Sequence, residues 1–517
     1  MTPMSGGNVG RQSGGSRAVL SACNVGVFLD WVVPAGSAWQ SVVGARPVAD
    51  SRGKLMRSRL VKFAAVCTVL ALTAAACGSD KKSSTAGSTG TTVKATAGST
   101  GGSTTATGGA AKDFGGAKVL ITGPERDDPS AGAINAVLQT WGKTRGLDIT
   151  YAGDADWEAN INTQVQGGNP PDIGIFPQPG KLAEFARAKS IKPLADNVTA
   201  SIKKFWSPDY SNYANVDGVQ YGVPVKTDLK SLVWYQPDKF KAKGYKVPTT
   251  FDEFTALVKK MAADGGPKPL CVGIESGTAT GWPFTDWTEE MVLRQDGGDV
   301  YNQWVEHKIP FNDPKIVKAM DTVLGLWSKD NVFASGGNIA ATNFGDNAQA
   351  LFDGKCYMHR QASFFSGFFP KGTKFADGSA GAVDVFYFPD INGDKPVLTA
   401  GTYAAGFNDK AATMAVLEYM STADYAQKRQ AEQTKLLNGG LSGFLSAAIG
   451  QDPSVYQPLE QGFLKILSES KLSRFDGSDQ MPAAVGAGTF WTLGTSAVNG
   501  DLTAQKAADQ IEASWPK

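Results

Sequence analysis

The chain has 517 residues, with 50 Lys/Arg, 49 Asp/Glu and two histidines, for a formal net charge of +1. Without residues 1–76, which carry eight basic and two acidic residues, 42 basic and 47 acidic residues remain, a net charge of about −5. A mildly acidic body with no Lys/Arg cluster argues against nucleic acid or anionic lipid as partners, and His307 and His359, neither at metal-ligand spacing from Cys, Asp or Glu, argue against a zinc centre.

Residues 1–55 mix Gly, Ser and Val with Trp31 and Trp39 and hold no sustained period. A secretory signal works at an N-terminus, so this segment reads as a leader upstream of a start at Met56, the alternative being a genuine cytoplasmic extension. Met56-Arg57-Ser58-Arg59-Leu60-Val61-Lys62 is a positive head, Phe63 to Ala71 an uncharged apolar core, and Leu72-Thr73-Ala74-Ala75-Ala76 a short end before Cys77. Over residues 56–76 this is the build of a signal peptide, since a spanning helix needs about 20 apolar residues. It resembles a bacterial lipoprotein signal, which implies an exported protein acylated at Cys77 and held at the outer face of the cytoplasmic membrane. Residues 77–112, rich in Gly, Ser and Thr, cannot bury a core and read as a flexible tether.

The body from residue 113 onward is too long for one core and predicts two lobes. Ala117 to Thr122 is an apolar strand closed by Gly123-Pro124. Ile134, Val137, Leu138 and Trp141 share one helix face, Leu147, Ile149 and Tyr151 alternate as a strand, Trp157, Ile161 and Val165 mark a helix, and Asp172 to Phe176 a third strand. This rhythm predicts an α/β fold with a mainly parallel sheet. After Tyr235, Thr250 and Glu253 form a capping box ahead of Phe254, Leu257, Val258 and Met261. Val383 to Phe388 reads as a strand and Ala411 to Met420 as a helix.

Of five cysteines, Cys23 lies in the leader, Cys67 in the signal and Cys77 at the lipid site. Cys271 and Cys356 remain, and outside the reducing cytosol they form one disulfide or stay as two buried thiols; the disulfide is the simpler expectation. Gly142-Lys143-Thr144 lacks the leading glycine of a phosphate loop, because Val137 stands there, and there is no G-x-S-x-G elbow. No cofactor is expected.

Five stretches carry a resemblance: N-P-P-D-I-G-I-F-P-Q-P-G (Asn169 to Gly180), S-L-V-W-Y (Ser231 to Tyr235), C-V-G-I-E-S-G-T-A-T-G-W-P-F-T-D-W (Cys271 to Trp287), H-R-Q-A-S-F (His359 to Phe364) and F-D-G-S-D-Q-M-P-A-A-V-G-A-G-T-F-W (Phe475 to Trp491). In this order the body resembles the extracellular solute-binding proteins of bacterial ABC sugar importers, above all the branch serving α-glucosides. The resemblance implies a two-lobed periplasmic-binding-protein-like fold of type II, with ligand enclosed at a hinge crossed near Val225 to Lys230, Ala382 to Val385 and Lys435 to Gly440. It places residues 113–227 with 384–434 in lobe one and 228–383 with 435–517 in lobe two, the strand around Val385 returning to lobe one. It further implies a small oligosaccharide ligand, permease subunits as partners, the membrane reached only through the lipid, and no catalysis.

A sugar ring has an apolar face and a rim of hydroxyls, so its site needs an aromatic plate and polar side chains around it. Trp282 and Trp287, in a Gly- and Pro-containing stretch read as a loop, are the aromatic candidates, Trp282 first. At the strand ends, the usual ligand rim of an α/β sheet, stand Glu125 and Arg126, Asp156, and Gln178 between two prolines. Lys226 and Asp228 lie at the expected hinge. Arg360, Tyr403 and Asp479 complete the set. A glycoside hydrolase would also present tryptophans and carboxylates, and Asp286, Glu289 and Glu290 are its candidates, the latter two at helix-surface spacing. A peptide, polyamine or glycerol phosphate cargo is the third reading; a phosphate would want several convergent cationic groups, whereas the candidate set carries more acids than bases, and sugar is the better fit.

Overall fold

The computed structural model describes residues 113–517. The leader, the signal, the tether and Cys77 lie outside the described residues. Two sheets organise the body. The first runs in the order Ser473–Phe475, Val397–Gly406, Ile173–Phe176, Ala117–Gly123, Leu147–Gly153, and Gly222–Leu229 also pairs with Val397–Gly406. The three N-terminal strands are mutually parallel, whereas Val397–Gly406 runs against both Ile173–Phe176 and Gly222–Leu229. Ile173–Phe176 is buried along its whole length because helices cover both faces. The second sheet runs Asp384–Tyr387, Leu232–Tyr235, Cys356–Arg360, Lys268–Cys271, Val332–Phe333.

Local signals place the helices between these strands. Asp127 caps Asp128–Lys143 by accepting from the Ser130 amide at 3.2 Å, and the helix buries Ile134, Val137 and Leu138. Thr250 and Glu253 complete the expected capping box of Phe251–Asp264, which buries Phe254, Val258 and Met261. Ala411–Met420 is helical over the span read from its sequence. No helix among the described residues is long and apolar enough to cross a membrane.

The strand around Val385 departs from the expectation. Val385 pairs with Trp234, so Asp384–Tyr387 belongs to the second sheet, and the chain passes to the first sheet only between Tyr387 and Val397. The edge of Leu232–Tyr235 left free by Cys356–Arg360 needs a partner for its amides and carbonyls, and Asp384–Tyr387 supplies it. The other passages between the sheets lie at Leu229 to Leu232 and after Phe475. The C-terminal helices pack into the core of the second lobe, where Phe490, Ala497, Ala504 and Ile511 join Trp304 and Phe311.

Cys271 and Cys356 form a disulfide between adjacent parallel strands, with Cα atoms 5.4 Å apart. Beside it His359 is buried, and its Nδ1 donates to the Cys271 carbonyl at 2.9 Å. Burial, with the neighbouring Arg360 charge, lowers its pKa to about 4, from 6.5 for an ordinary histidine. The native state therefore binds fewer protons than the unfolded chain between pH 6.5 and 4, and stability present above that window is lost as pH falls through it. The stability advantage of the parent protein over His359→Gln is expected to shrink from pH 7 to pH 4.5 in urea titrations; an advantage independent of pH would show that His359 is not held neutral.

Candidate functional site

A cavity of about 250 Å³ opens between the lobes, at the strand ends of the first sheet. Its floor is the antiparallel pair Gly222–Leu229 and Val397–Gly406, in which Ala400 faces Asp228 and Thr402 faces Lys226. The strands approach so closely that a Cβ at Gly401 would stand 2.4 Å from the Lys226 carbonyl oxygen, and only glycine fits. Lys226 and Asp228, two residues apart, share the cavity face of their strand. The Lys226 ammonium lies 3.3 Å from Asp228 and 3.5 Å from Glu125, and Arg429 grips Glu125 from behind at 2.6 Å. Burial works to raise Glu125, but Arg429 and Lys226 hold it below the ordinary range.

The first-lobe wall comes from two strand-end loops, carrying Glu125, Arg126 and Asp127 after Ala117–Gly123 and Gln178 after Ile173–Phe176. Pro177 and Pro179 stiffen the second loop. Gln178 is 4% exposed, and its Oε1 has no hydrogen-bond partner among the described residues.

The second-lobe wall begins at Trp282, which is the first residue of the helix Trp282–Val305 and not part of a loop. Pro283 is tolerated in the first turn, where its missing N–H costs nothing. Gly281 starts the helix with φ 114°, and a Cβ there would stand 2.4 Å from the Trp491 carbonyl oxygen. The Trp282 ring is half-buried, edge-on to Phe344 at 5.0 Å, with Lys230 Nζ 5.7 Å from its centroid. Asp286, four residues on, falls on the same helix face. Trp287, five residues on, is turned by about 140° from Trp282 and packs into the core against Trp327 and Phe388.

Under this wall lies a buried ionic network. The Lys230 ammonium bonds Asp286 at 2.6 Å and also Asp476. Arg360 reaches Asp286 at 3.3 Å and Glu290 at 2.5 Å, and Arg294 binds Glu290 as well. Burial alone would lower Lys230, yet Asp286 and Asp476 hold it well above the ordinary lysine range. Burial pushes Asp286 up to about 6 against the pull of Lys230. Asp476 is instead held low in spite of burial, because Lys230, the Asp479 amide and the Ser478 hydroxyl all bind its carboxylate. Glu289 and Glu290 are fully buried, so the surface position expected for them is corrected; Glu289 accepts from the Gly477 and Ser478 amides at 2.8 and 3.0 Å.

Of the residues singled out in the sequence, Glu125, Arg126, Gln178, Lys226, Asp228, Trp282 and Asp479 line the cavity. Trp287, Arg360 and Tyr403 do not: Arg360 is bound to carboxylates, and Tyr403 is buried in the first lobe with its hydroxyl donating to the Tyr210 carbonyl. Asp156 misses the cavity too, but its Oδ1 accepts the Thr278 amide at 3.1 Å from the other lobe. On the same side of the first lobe, Glu184 accepts the Ala483 amide at 2.7 Å. These bonds link segments on either side of the cavity. Sequence reasoning passed over Lys230, Glu158, Phe344 and Trp491, all at the cavity. The stretches containing Trp491 and Asp476 carried the resemblance, which was the available signal; Lys230 and Glu158 stood outside any motif.

The chain matches the family described as bacterial extracellular solute-binding protein over residues 125–427. It is 36% identical over 421 residues to the alpha-glucosides-binding periplasmic protein AglE of Rhizobium meliloti (strain 1021), covering 78% of this chain and 88% of that protein. It is 35% identical over 392 residues to the osmoprotective compounds-binding protein GgtB of Synechocystis sp. (strain ATCC 27184), covering 74% and 89%. Among solved structures, the bacterial solute receptor AcbH, described as preferring β-D-galactopyranose, aligns with a TM-score of 0.64 at 21% identity, over 77% of this chain and 98% of that one.

Proposed function

Because the chain belongs to the bacterial extracellular solute-binding protein family, we propose that it binds a small carbohydrate, an α-glucoside or another small oligosaccharide, and delivers it to the permease of an ABC importer. It is a binding protein and not an enzyme, as its relatives are. The observation that carries the sugar reading is the composition of the cavity. One wall presents Trp282 with Phe344, and the other wall and floor present Gln178, Glu125, Lys226 and Asp228. An apolar plate facing a polar rim is what a pyranose ring requires. The volume, just below the roughly 300–1,000 Å³ of drug-sized ligand sites, favours a ligand of one or two rings. The α-glucoside assignment draws on the identity to AglE.

The test is a thermal-shift screen of mono-, di- and trisaccharides followed by calorimetry. A ligand at a hundred times its Kd stabilises by about 2.7 kcal/mol. Trp282→Ala is expected to weaken the best sugar by about 1–3 kcal/mol, and Gln178→Ala by about 0.5–1.5 kcal/mol. A folded Trp282→Ala protein that binds like the parent would remove Trp282 as the plate and leave Trp491 to be tested. Failure of every sugar to shift the melting curve would sink the sugar reading itself.

The lipid anchor in this reading rests on the signal-like residues 56–76 and on Cys77. Cys77→Ser is expected to leave unprocessed precursor or to free the protein from the membrane fraction; unchanged fractionation would refute the anchor.

A further inference from the structure

The charges of the cleft do not balance. Lys226 is shared by Glu125 and Asp228, and Lys230 by Asp286 and Asp476. Of the further carboxylates lining the cavity, Asp127 is occupied in capping its helix at the Ser130 amide, which leaves two: Glu158, from the first-lobe helix Trp157–Gln166, and Asp479, from the short helix Gly477–Gln480. Neither makes an ion pair within 4 Å among the described residues. Lys181, the buried cation beside Glu158, bonds the Glu158 backbone carbonyl at 2.6 Å; its charge, that of the exposed Arg126 and a hydrogen bond with the Gln178 side chain all pull Glu158 down without overcoming its burial. Asp479 faces the charges of Asp476, Asp286 and Glu158, with Lys230 opposing them. Burial raises both Glu158 and Asp479 above the ordinary carboxylate range. A carboxylate in this condition takes up either a proton or a cation brought from outside.

A second observation points the same way. Gln178 and Gln433, 4% and 3% exposed, both line the cavity, and in each the side-chain oxygen lacks a hydrogen-bond partner among the described residues. These oxygens can only accept. A buried acceptor left unmade costs about 1–3 kcal/mol, so the ligand that fits is rich in donors. Acceptor oxygens together with two unpaired carboxylates describe a site for hydroxyls plus a positive charge.

We infer that the cleft selects a glycoside bearing a protonated amine, held between Glu158 and Asp479 with Gln178 as a neutral acceptor, and disfavours glycosides bearing a carboxylate. The inference rests on the sugar reading above and narrows it to a charge class.

Calorimetry at pH 7 tests it with maltose, sucrose and trehalose, their amino-deoxy analogues substituted at C2 or C6, and their 6-carboxylates. At least one amino analogue is expected to bind about tenfold more tightly than its neutral parent, and the matching carboxylate about tenfold more weakly. The double variant Glu158→Gln with Asp479→Asn is expected to erase the preference; if it fails to fold, Glu158→Gln alone should reduce it. The inference is overturned if a neutral sugar binds and no amino analogue improves on it, an outcome that leaves the sugar reading standing. It is equally overturned if the preference persists undiminished in the folded variants. If neither neutral nor amino sugars bind, both readings fall together.

Discussion

Lys230→Met is expected to lower the unfolding free energy by about 3–5 kcal/mol, the usual loss when one member of a buried ion pair is removed. Lys230 sits where the chain passes from the first sheet to the second, and its ammonium is buried between Asp286 on the second-lobe helix and Asp476 beyond the strand Ser473–Phe475. Methionine keeps the aliphatic stem but leaves those carboxylates without their shared cation. Arg360 still reaches Asp286 at 3.3 Å, whereas Asp476 keeps only the Ser478 hydroxyl and the Asp479 amide. The loss should therefore be larger at neutral pH than in acid, where protonation relieves the orphaned acids. Urea titration of the parent and variant at pH 7 and pH 5 measures it. Lys428→Met, which removes an exposed pair with Asp424, is the control and should cost well under about 1 kcal/mol. A Lys230→Met loss no larger than that of the control would mean that the network does not depend on its lysine.

The second large effect concerns the disulfide. Cys271 and Cys356 lie 85 positions apart, and a loop of that length corresponds to about 4.5 kcal/mol in the chain-entropy account. Replacing both by alanine, which adds no buried polar atom, should lower the unfolding free energy read from urea titration by about that amount, with the ligand omitted from both samples. Reducing the parent protein should reproduce most of the loss. Two free thiols detected by mass spectrometry in exported protein, or a variant as stable as the parent, would contradict the role assigned to the bond.

The helices and strands were legible from the chain wherever the governing interactions are local. The Thr250 and Glu253 box, the Ala411–Met420 helix and the alternating strand at Leu147 follow from neighbours a few positions apart. So does the placing of Glu125 and Gln178 at the cleft, since loops at the ends of parallel strands form the ligand rim of such a fold. The aromatic candidates were less legible. Gly281 and Pro283 suit a loop and a helix start equally, and only the packing of the helix Trp282–Val305 decides for the helix. Once it is a helix, Trp282 and Trp287 cannot share a face, so one lines the cleft and the other enters the core. The same holds for Tyr403, which lies within the strand Val397–Gly406 and not at its end, and is buried by the neighbouring layer.

What the sequence by itself determined, then, are the locally signalled elements, the two-lobed α/β body and the strand-end loops that meet the cavity. Only the tertiary structure decided which charges are spent and which remain free. Lys230 finds its partners 56 and 246 positions away, and Glu125 meets Arg429 across 304. Among the described residues Glu158 and Asp479 make no ion pair, although lysines and arginines equal acids along the chain almost one for one. Composition counts charges, but pairing within a few ångströms depends on which distant segments fold against one another, and no local pattern encodes that distance.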